Sequence, residues 1–219
     1  MAVFALVHGG WHGAWCWARL APLLGARGHT VVTPELPIGD PSAGAVAYAA
    51  AVAGALDGAD DVVLVAHSLA GLCAPLVPSV RRVVYLAGML PSPGRSVDER
   101  AKAGERMTRR GIGRGQTVLE DGSTRWRPEA AVELLYPDSP PDLAAAAAAR
   151  LRPQHWRITA EPSPVESLPP ATSVLCRDDK IIHADWARSA AADLVEIDGD
   201  HSPFLARPEP LADLLDSLA

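Results

Sequence analysis

Six short stretches dominated by Val, Ile, Leu and Ala recur along the chain, at residues 2–8, 29–34, 61–67, 81–89, 171–177 and 193–198. They are nearly continuously apolar rather than alternating, which is the pattern of strands covered on both faces. Helix-compatible stretches lie between most of them, at 14–26, 43–57, 69–77 and 183–192, and another closes the chain at 204–218. Strand alternating with helix implies parallel pairing through right-handed crossovers. The pattern predicts an α/β fold: a doubly wound, mostly parallel sheet of about six strands.

One segment breaks the rhythm. Residues 91 to about 160 hold Pro91, Pro93, Gly94, the glycines 111, 113 and 115, Pro140-Pro141 and an alanine run from Ala144 to Ala149. A connection of this length without strand signal is too long for an ordinary loop and predicts an inserted, mostly helical cap, with the alanine run as one helix. With 219 residues, 48 % of them hydrophobic, the chain suffices for one core and is short for two. A single domain spanning 1–219 is expected, with the cap as its insertion.

Charge narrows the function. A net charge of -6 offers no positive field for nucleic acid or an anionic membrane, so a small-molecule partner is expected. The composition says nothing about oligomeric state. No apolar run approaches a membrane span and no secretion signal precedes Val3. The odd cysteines Cys16, Cys73 and Cys176 lie in apolar stretches, as buried thiols do, which points to a cytoplasmic protein. Basic residues concentrate in 91–127, where Arg95, Arg100, Lys102, Arg106, Arg109, Arg110, Arg114, Arg125 and Arg127 face five acids. That cluster is either a solvated face or a surface that attracts an anionic substrate or carrier.

The run 61–67 passes directly into Ala66-His67-Ser68-Leu69-Ala70-Gly71, a serine between small residues at a strand-to-helix junction. Small neighbours are needed where a serine sits on so sharp a turn, although alanines stand here where glycines are usual. A serine hydroxyl becomes a nucleophile only when an oriented base takes its proton. Among the seven histidines, His201 emerges after the last strand through Gly199-Asp200, at the carboxyl edge of the sheet. The acid that orients it should follow the preceding strand, where Asp178 and Asp179 both qualify by position. An oxyanion hole requires backbone donors, and the N–H groups of Gly10, in the loop His8-Gly9-Gly10-Trp11, and of Leu69 are the candidates. Gly9, Trp11, Trp126 and Trp156 are candidate pocket walls, with plain packing as the alternative for the tryptophans. All of these follow different strands and so converge on one sheet edge, where ligands bind in parallel sheets. No metal or organic cofactor is expected, because no ligand spacing or phosphate loop is present.

The chain resembles an α/β-hydrolase of the branch that includes plant methyl-esterases, hydroxynitrile lyases and related bacterial esterases. The resemblance is carried by Val7-His8-Gly9-Gly10-Trp11-His12-Gly13-Ala14-Trp15-Cys16-Trp17 at the start, and by Val84-Tyr85-Leu86 with Pro91-Ser92-Pro93-Gly94. It implies a Ser68, Asp, His201 triad in that chain order. Within the branch the acid sits three residues after a strand-ending cysteine and seven before an aromatic residue, which Cys176, Asp179 and Trp186 satisfy and which favours Asp179. Two departures stand out. Pro75 and Pro78 shorten the helix after Ser68, and the lyase positions resembling a lysine and a threonine are Ser202 and Gly9 here. The resemblance thus implies a serine hydrolase acting on a small or medium carboxylic ester rather than a lyase. The alternatives are thioester, lactone or carbon–carbon bond hydrolysis on the same triad, or a ligand-binding or cyclisation scaffold in which the serine does not react.

Overall fold

The β-branched runs form strands and the alanine-rich runs form helices, in a computed structural model that describes residues 1–219. In chain order the elements are β1 (Val3–Val7), α1 (Ala21–Ala26), β2 (Thr30–Val32), α2 (Ala45–Leu56), β3 (Val62–His67) and β4 (Val80–Leu86). The connection that follows holds α3 (Val97–Lys102), β5 (Gln116–Val118), β6 (Thr124–Trp126), α4 (Pro128–Leu135), α5 (Pro141–Ala149) and α6 (Arg157–Ala160). The chain closes with β7 (Ala171–Cys176), α7 (Ala184–Ala190), β8 (Leu194–Ile197), α8 (Pro203–Ala206) and α9 (Pro208–Ser217).

Six strands make one sheet in the order β2-β1-β3-β4-β7-β8. Every neighbouring pair is parallel. The pleat divides each central strand between two cores. Ala5, Val7, Leu64, Ala66, Val83 and Tyr85 point toward the layer holding α2 and Trp186 of α7. Phe4, Leu6, Val63, Val65, Val84 and Leu86 point toward Leu24 of α1 and Leu211 and Leu215 of α9. Burial on both faces is why the runs read as continuously apolar rather than alternating. No helix is long and apolar enough to cross a membrane. The three cysteines are buried and free, and burial pushes the Cys73 thiol up to about 12.

Three sequence expectations need correction. The helix expected at 69–77 is two 3-10 turns, Ser68–Leu72 and Ala74–Leu76. Pro75 lacks the N–H an α-helix needs, and its ring disfavours a continuous helix through Cys73 and Ala74. The expected helices at 14–26 and 204–218 are likewise divided, the first into a 3-10 turn (Ala14–Trp17) and α1, the second at Pro208. The third concerns residues 91–160, expected to lack strands. They contain an antiparallel hairpin, β5 with β6, pairing Gln116 with Trp126 and Val118 with Thr124. Gly122 takes φ +80° in its turn, and Asp121 Oδ1 accepts from Ser123 N at 2.9 Å. Three-residue strands are too short to show a period, yet the Asp121-Gly122 pair is a recognised hairpin signal.

Candidate active site

The turn after β3 stores backbone strain. Ser68 sits at φ +52°, a left-handed conformation that costs energy for any residue with a side chain. Its carbonyl accepts from Met89 N at 3.0 Å, tying the turn to the end of β4. Ala66 and Ala70 are fully buried around it. Gly71 is required by space: a Cβ there would lie 2.1 Å from the Met89 carbonyl oxygen. Gly71→Ala is accordingly expected to lose ~3 kcal/mol of stability through overpacking against fixed backbone. Gly54→Ala, on α2 with nothing within 4 Å of the new methyl, is expected to gain ~0.5–1 kcal/mol. Urea unfolding midpoints of the two variants check both signs.

The loop after β8 brings His201 to the serine. His201 Nε2 lies 3.1 Å from Ser68 Oγ, and His201 Nδ1 lies 2.9 Å from Asp179 Oδ2. The other carboxylate oxygen, Asp179 Oδ1, accepts from the backbone N–H groups of Ile181 at 2.6 Å and Ile182 at 3.0 Å. Asp179 is thereby an acceptor on both oxygens, so the Nδ1 proton belongs to His201 and Nε2 faces the serine hydroxyl as an acceptor. Asp179 and His201 are 1 % and 2 % exposed. Asp178, the other positional candidate, points to solvent, and its N–H donates to the Gly199 carbonyl. Lys180 is exposed, with its ammonium donating to the Glu133 carbonyl.

Near His201 lie three further buried imidazoles. His67 Nε2–H donates to the His201 carbonyl at 2.9 Å, and the two rings pack 4.8 Å apart. His12 Nδ1–H donates to the Gly10 carbonyl, and its Nε2 accepts from Tyr136 Oη–H at 2.8 Å. His8 Nδ1–H donates to the Gly9 carbonyl, while its Nε2 accepts from Leu36 N–H. Burial lowers His12 to about 3 and His8 to about 4. His67 is driven well below the usual histidine range, first by burial and then by the neighbouring His201 and His12. All three are neutral at pH 7: His8 and His12 each work as one donor and one acceptor, while His67 donates through Nε2 and its buried Nδ1 has no partner. Asp200 completes the support. Its Oδ1 accepts from Ser202 N–H and its Oδ2 from Asp138 N–H, clamping the turn that carries His201.

The loop after β1 packs onto the serine turn. A Cβ on Gly9 would lie 2.7 Å from His67 Nδ1 and 2.8 Å from Ser68 Cβ, so a side chain at this position collides with the serine itself. Next to it, a Cβ on Gly10 would lie 3.5 Å from a Leu69 methyl. Gly10 N–H donates to no protein acceptor. Leu69 lies in the first turn of its 3-10 segment, where N–H groups have no partner within the turn. Gln154, fully buried, fixes the loop: its Oε1 accepts from Trp11 N at 3.3 Å and its Nε2 donates to Tyr48 Oη at 2.9 Å.

A cavity of about 460 Å³ opens above Ser68. Trp11, Leu69, Met89 and Trp156 form part of its wall, with Val97 and Ile112 from the connection between β4 and β7. Two candidate wall residues are corrected. Trp126 packs edge-on against Trp11, ring to ring at 5.3 Å, and does not line the cavity. Gly9 is spent on close approach to His67 and Ser68 and presents no wall. The sequence reading missed Tyr136 and Gln154, whose partners lie too far along the chain to leave a local signal, and Asp200, whose bond to Ser202 N–H is local but whose bond to Asp138 N–H is not.

The family model described as "Alpha/beta hydrolase family" matches residues 4–214. Methylesterase 9 of Arabidopsis thaliana is 30 % identical over an alignment covering 100 % of this chain and 98 % of that protein. A carbendazim hydrolyzing esterase of Nocardioides sp. (strain SG-4G) is 33 % identical, over 44 % of this chain and 46 % of that protein, so the match spans under half the length of this relative. The solved structure of a pyrethroid hydrolase from Sphingobium faniae JZ-2 superposes with a TM-score of 0.81 at 22 % identity, covering 99 % of this chain and 96 % of that one. That of an Arabidopsis methylesterase reaches 0.75 at 23 % identity, covering 100 % and 98 %. With six parallel strands, a strained serine turn after β3 and a family match over nearly its whole length, the chain belongs to the alpha/beta hydrolase family.

Proposed function

We propose that this protein is a carboxylesterase that works through an acyl-enzyme on Ser68. The observation that carries the reading is the continuous hydrogen-bonded line from Ser68 Oγ through His201 to Asp179 at the floor of an apolar cavity. Ser68 Oγ attacks the ester carbonyl carbon as His201 Nε2 takes its proton, and Asp179 stabilises the imidazolium that forms. The carbonyl oxygen becomes an oxyanion received by Gly10 N–H and Leu69 N–H, each such donor contributing about a hundredfold or more in rate. Collapse breaks the carbon–oxygen bond, and the departing alcohol takes the proton from His201. Water, deprotonated by His201 in turn, repeats the sequence and frees the acid. The cavity lies within the ~300–1,000 Å³ usual for small-molecule sites, and residues 91–160 act as the cap that shapes it. The names of the methylesterase and carbendazim esterase relatives support ester cleavage.

Cyanohydrin cleavage is disfavoured by particular atoms. A departing cyanide needs a fixed cation in a desolvated site. Ser202 supplies none, Lys180 is held at the Glu133 carbonyl, and Lys102 is exposed on α3. A hydroxyl-bearing side chain at position 9 would strike Ser68. Purified protein offered para-nitrophenyl butyrate and, separately, mandelonitrile at acid pH is expected to release nitrophenol and no benzaldehyde above background. Enzyme-dependent benzaldehyde that disappears in Ser68→Ala would overturn the esterase reading.

A further inference from the structure

The mechanism leaves the arginines of residues 91–127 unused. Arg100 is accounted for internally: it is buried, its Nε and Nη2 donate to Glu105 at 2.9 and 2.6 Å, and its Nη1 donates to the Leu90 carbonyl. Arg106, Arg109 and Arg110 are different. They line a second cavity of about 280 Å³, which shares the wall Met89, Val97, Ala101 and Thr108 with the cavity over Ser68. None of the three guanidinium groups takes part in an ion pair or a side-chain hydrogen bond. Arg106, Arg109 and Arg110 are exposed, so solvent eases their mutual repulsion and a bound anion would ease it further.

The acids nearby do not fill that role. Glu105 also lines the second cavity, but its carboxylate is committed to Arg100 and to Trp186 Nε1, and these bonds hold it ionised near 2. Asp98 lines the cavity over Ser68 and not the second one. The backbone that carries the arginines is anchored. Thr108 bridges Ile182, Arg109 N–H donates to the Ile181 carbonyl at 2.8 Å, and His183 N–H donates to the Met107 carbonyl at 2.9 Å. Ile181 and Ile182 are the same residues whose N–H groups hold Asp179. The backbone that bears these arginines is therefore fixed relative to the loop holding Asp179.

We infer that the substrate is an ester bearing an oxyanion group of the carboxylate or phosphate kind, separated from the scissile carbonyl by an apolar segment. The carbonyl sits at Ser68, the apolar segment fills the first cavity, and the anion meets Arg106, Arg109 and Arg110 in the second. This assignment of substrate class rests on Ser68 acting as the esterase nucleophile. Guanidinium suits it, because its planar fork pairs with two oxygens at once and stays charged at every working pH.

The test compares matched esters. On the acyl side, para-nitrophenyl monoesters of adipic and suberic acid are set against para-nitrophenyl hexanoate and octanoate. On the alcohol side, the butyryl ester of para-hydroxybenzoate is set against that of its methyl ester, and phosphate analogues replace the carboxylate in a parallel series. In at least one arm, wild-type kcat/KM is expected to favour the anionic member about tenfold, the effect of one ordinary charge-assisted hydrogen bond. The preference should shrink with added salt. The triple variant R106Q/R109Q/R110Q, shown folded by circular dichroism, should lose it. Binding of the same pairs to Ser68→Ala protein, read by tryptophan fluorescence, separates the two proposals. Anion preference in binding without any turnover by the wild type would sink the esterase reading and support the anion site. Turnover of both members with no preference in any arm, or a preference that survives in the triple variant, overturns the anion site.

Discussion

Ser68→Ala is expected to lower ester hydrolysis by about five orders of magnitude, to a residue set by binding and the oxyanion donors alone. Alanine retains the Cβ that already tolerates φ +52° and removes only the hydroxyl facing His201. Folding is therefore expected to survive, with a thermal midpoint close to that of the wild type. A fluorophosphonate probe should label the wild type at this serine and leave Ser68→Ala unlabelled. Hydrolysis reduced only severalfold, or labelling that moves to another serine, would remove Ser68 from the mechanism.

Asp179→Asn is expected to cost about ten-thousand-fold in kcat, whereas Asp178→Asn should change it by less than about twofold. The difference follows from hydrogen-bond direction. Asp179 Oδ1 accepts from two backbone N–H groups, so an asparagine there keeps its carbonyl oxygen on Ile181 and Ile182. Its amide nitrogen then faces His201 Nδ1 and donates to it. The ring must place its proton on Nε2, which donates toward Ser68 and cannot accept the serine proton. Asp178 is solvent-facing, and only its backbone N–H is engaged, with Gly199. Steady-state kinetics of the two variants, with unfolding midpoints to exclude loss of fold, decide the assignment. Equal losses would show that Asp179 acts through the loop's shape rather than through the imidazole.

Much of the fold was legible because the signals are local. Each apolar run became a strand within a few residues of its expected ends, and the alanine run became the body of α5. The neighbourhood of Ser68, Asp179 and His201 was legible for a related reason: each follows its own strand, and a parallel sheet brings strand ends to one edge. The departures come from two local signals that override their surroundings. Pro75 divides a helix that its neighbours' propensities favour, and Asp121-Gly122 closes a hairpin whose strands are too short to show periodicity.

Other features have no local signature. Gln154 reaches Trp11 across 143 positions, and Tyr136 reaches His12 across 124. Trp11, Trp126 and Trp156 look alike in the sequence, yet the first and last line the cavity and the middle one does not. Asp178 and Asp179 are adjacent and chemically identical, and no backbone pattern separates them apart from family spacing. Periodicity and strand order, written in neighbouring residues, specify the sheet and the edge at which the chemistry gathers. Which acid faces the histidine, which tryptophan faces the substrate and where the arginines stand depend on packing between segments far apart in the chain, and only the assembled structure sets those directions.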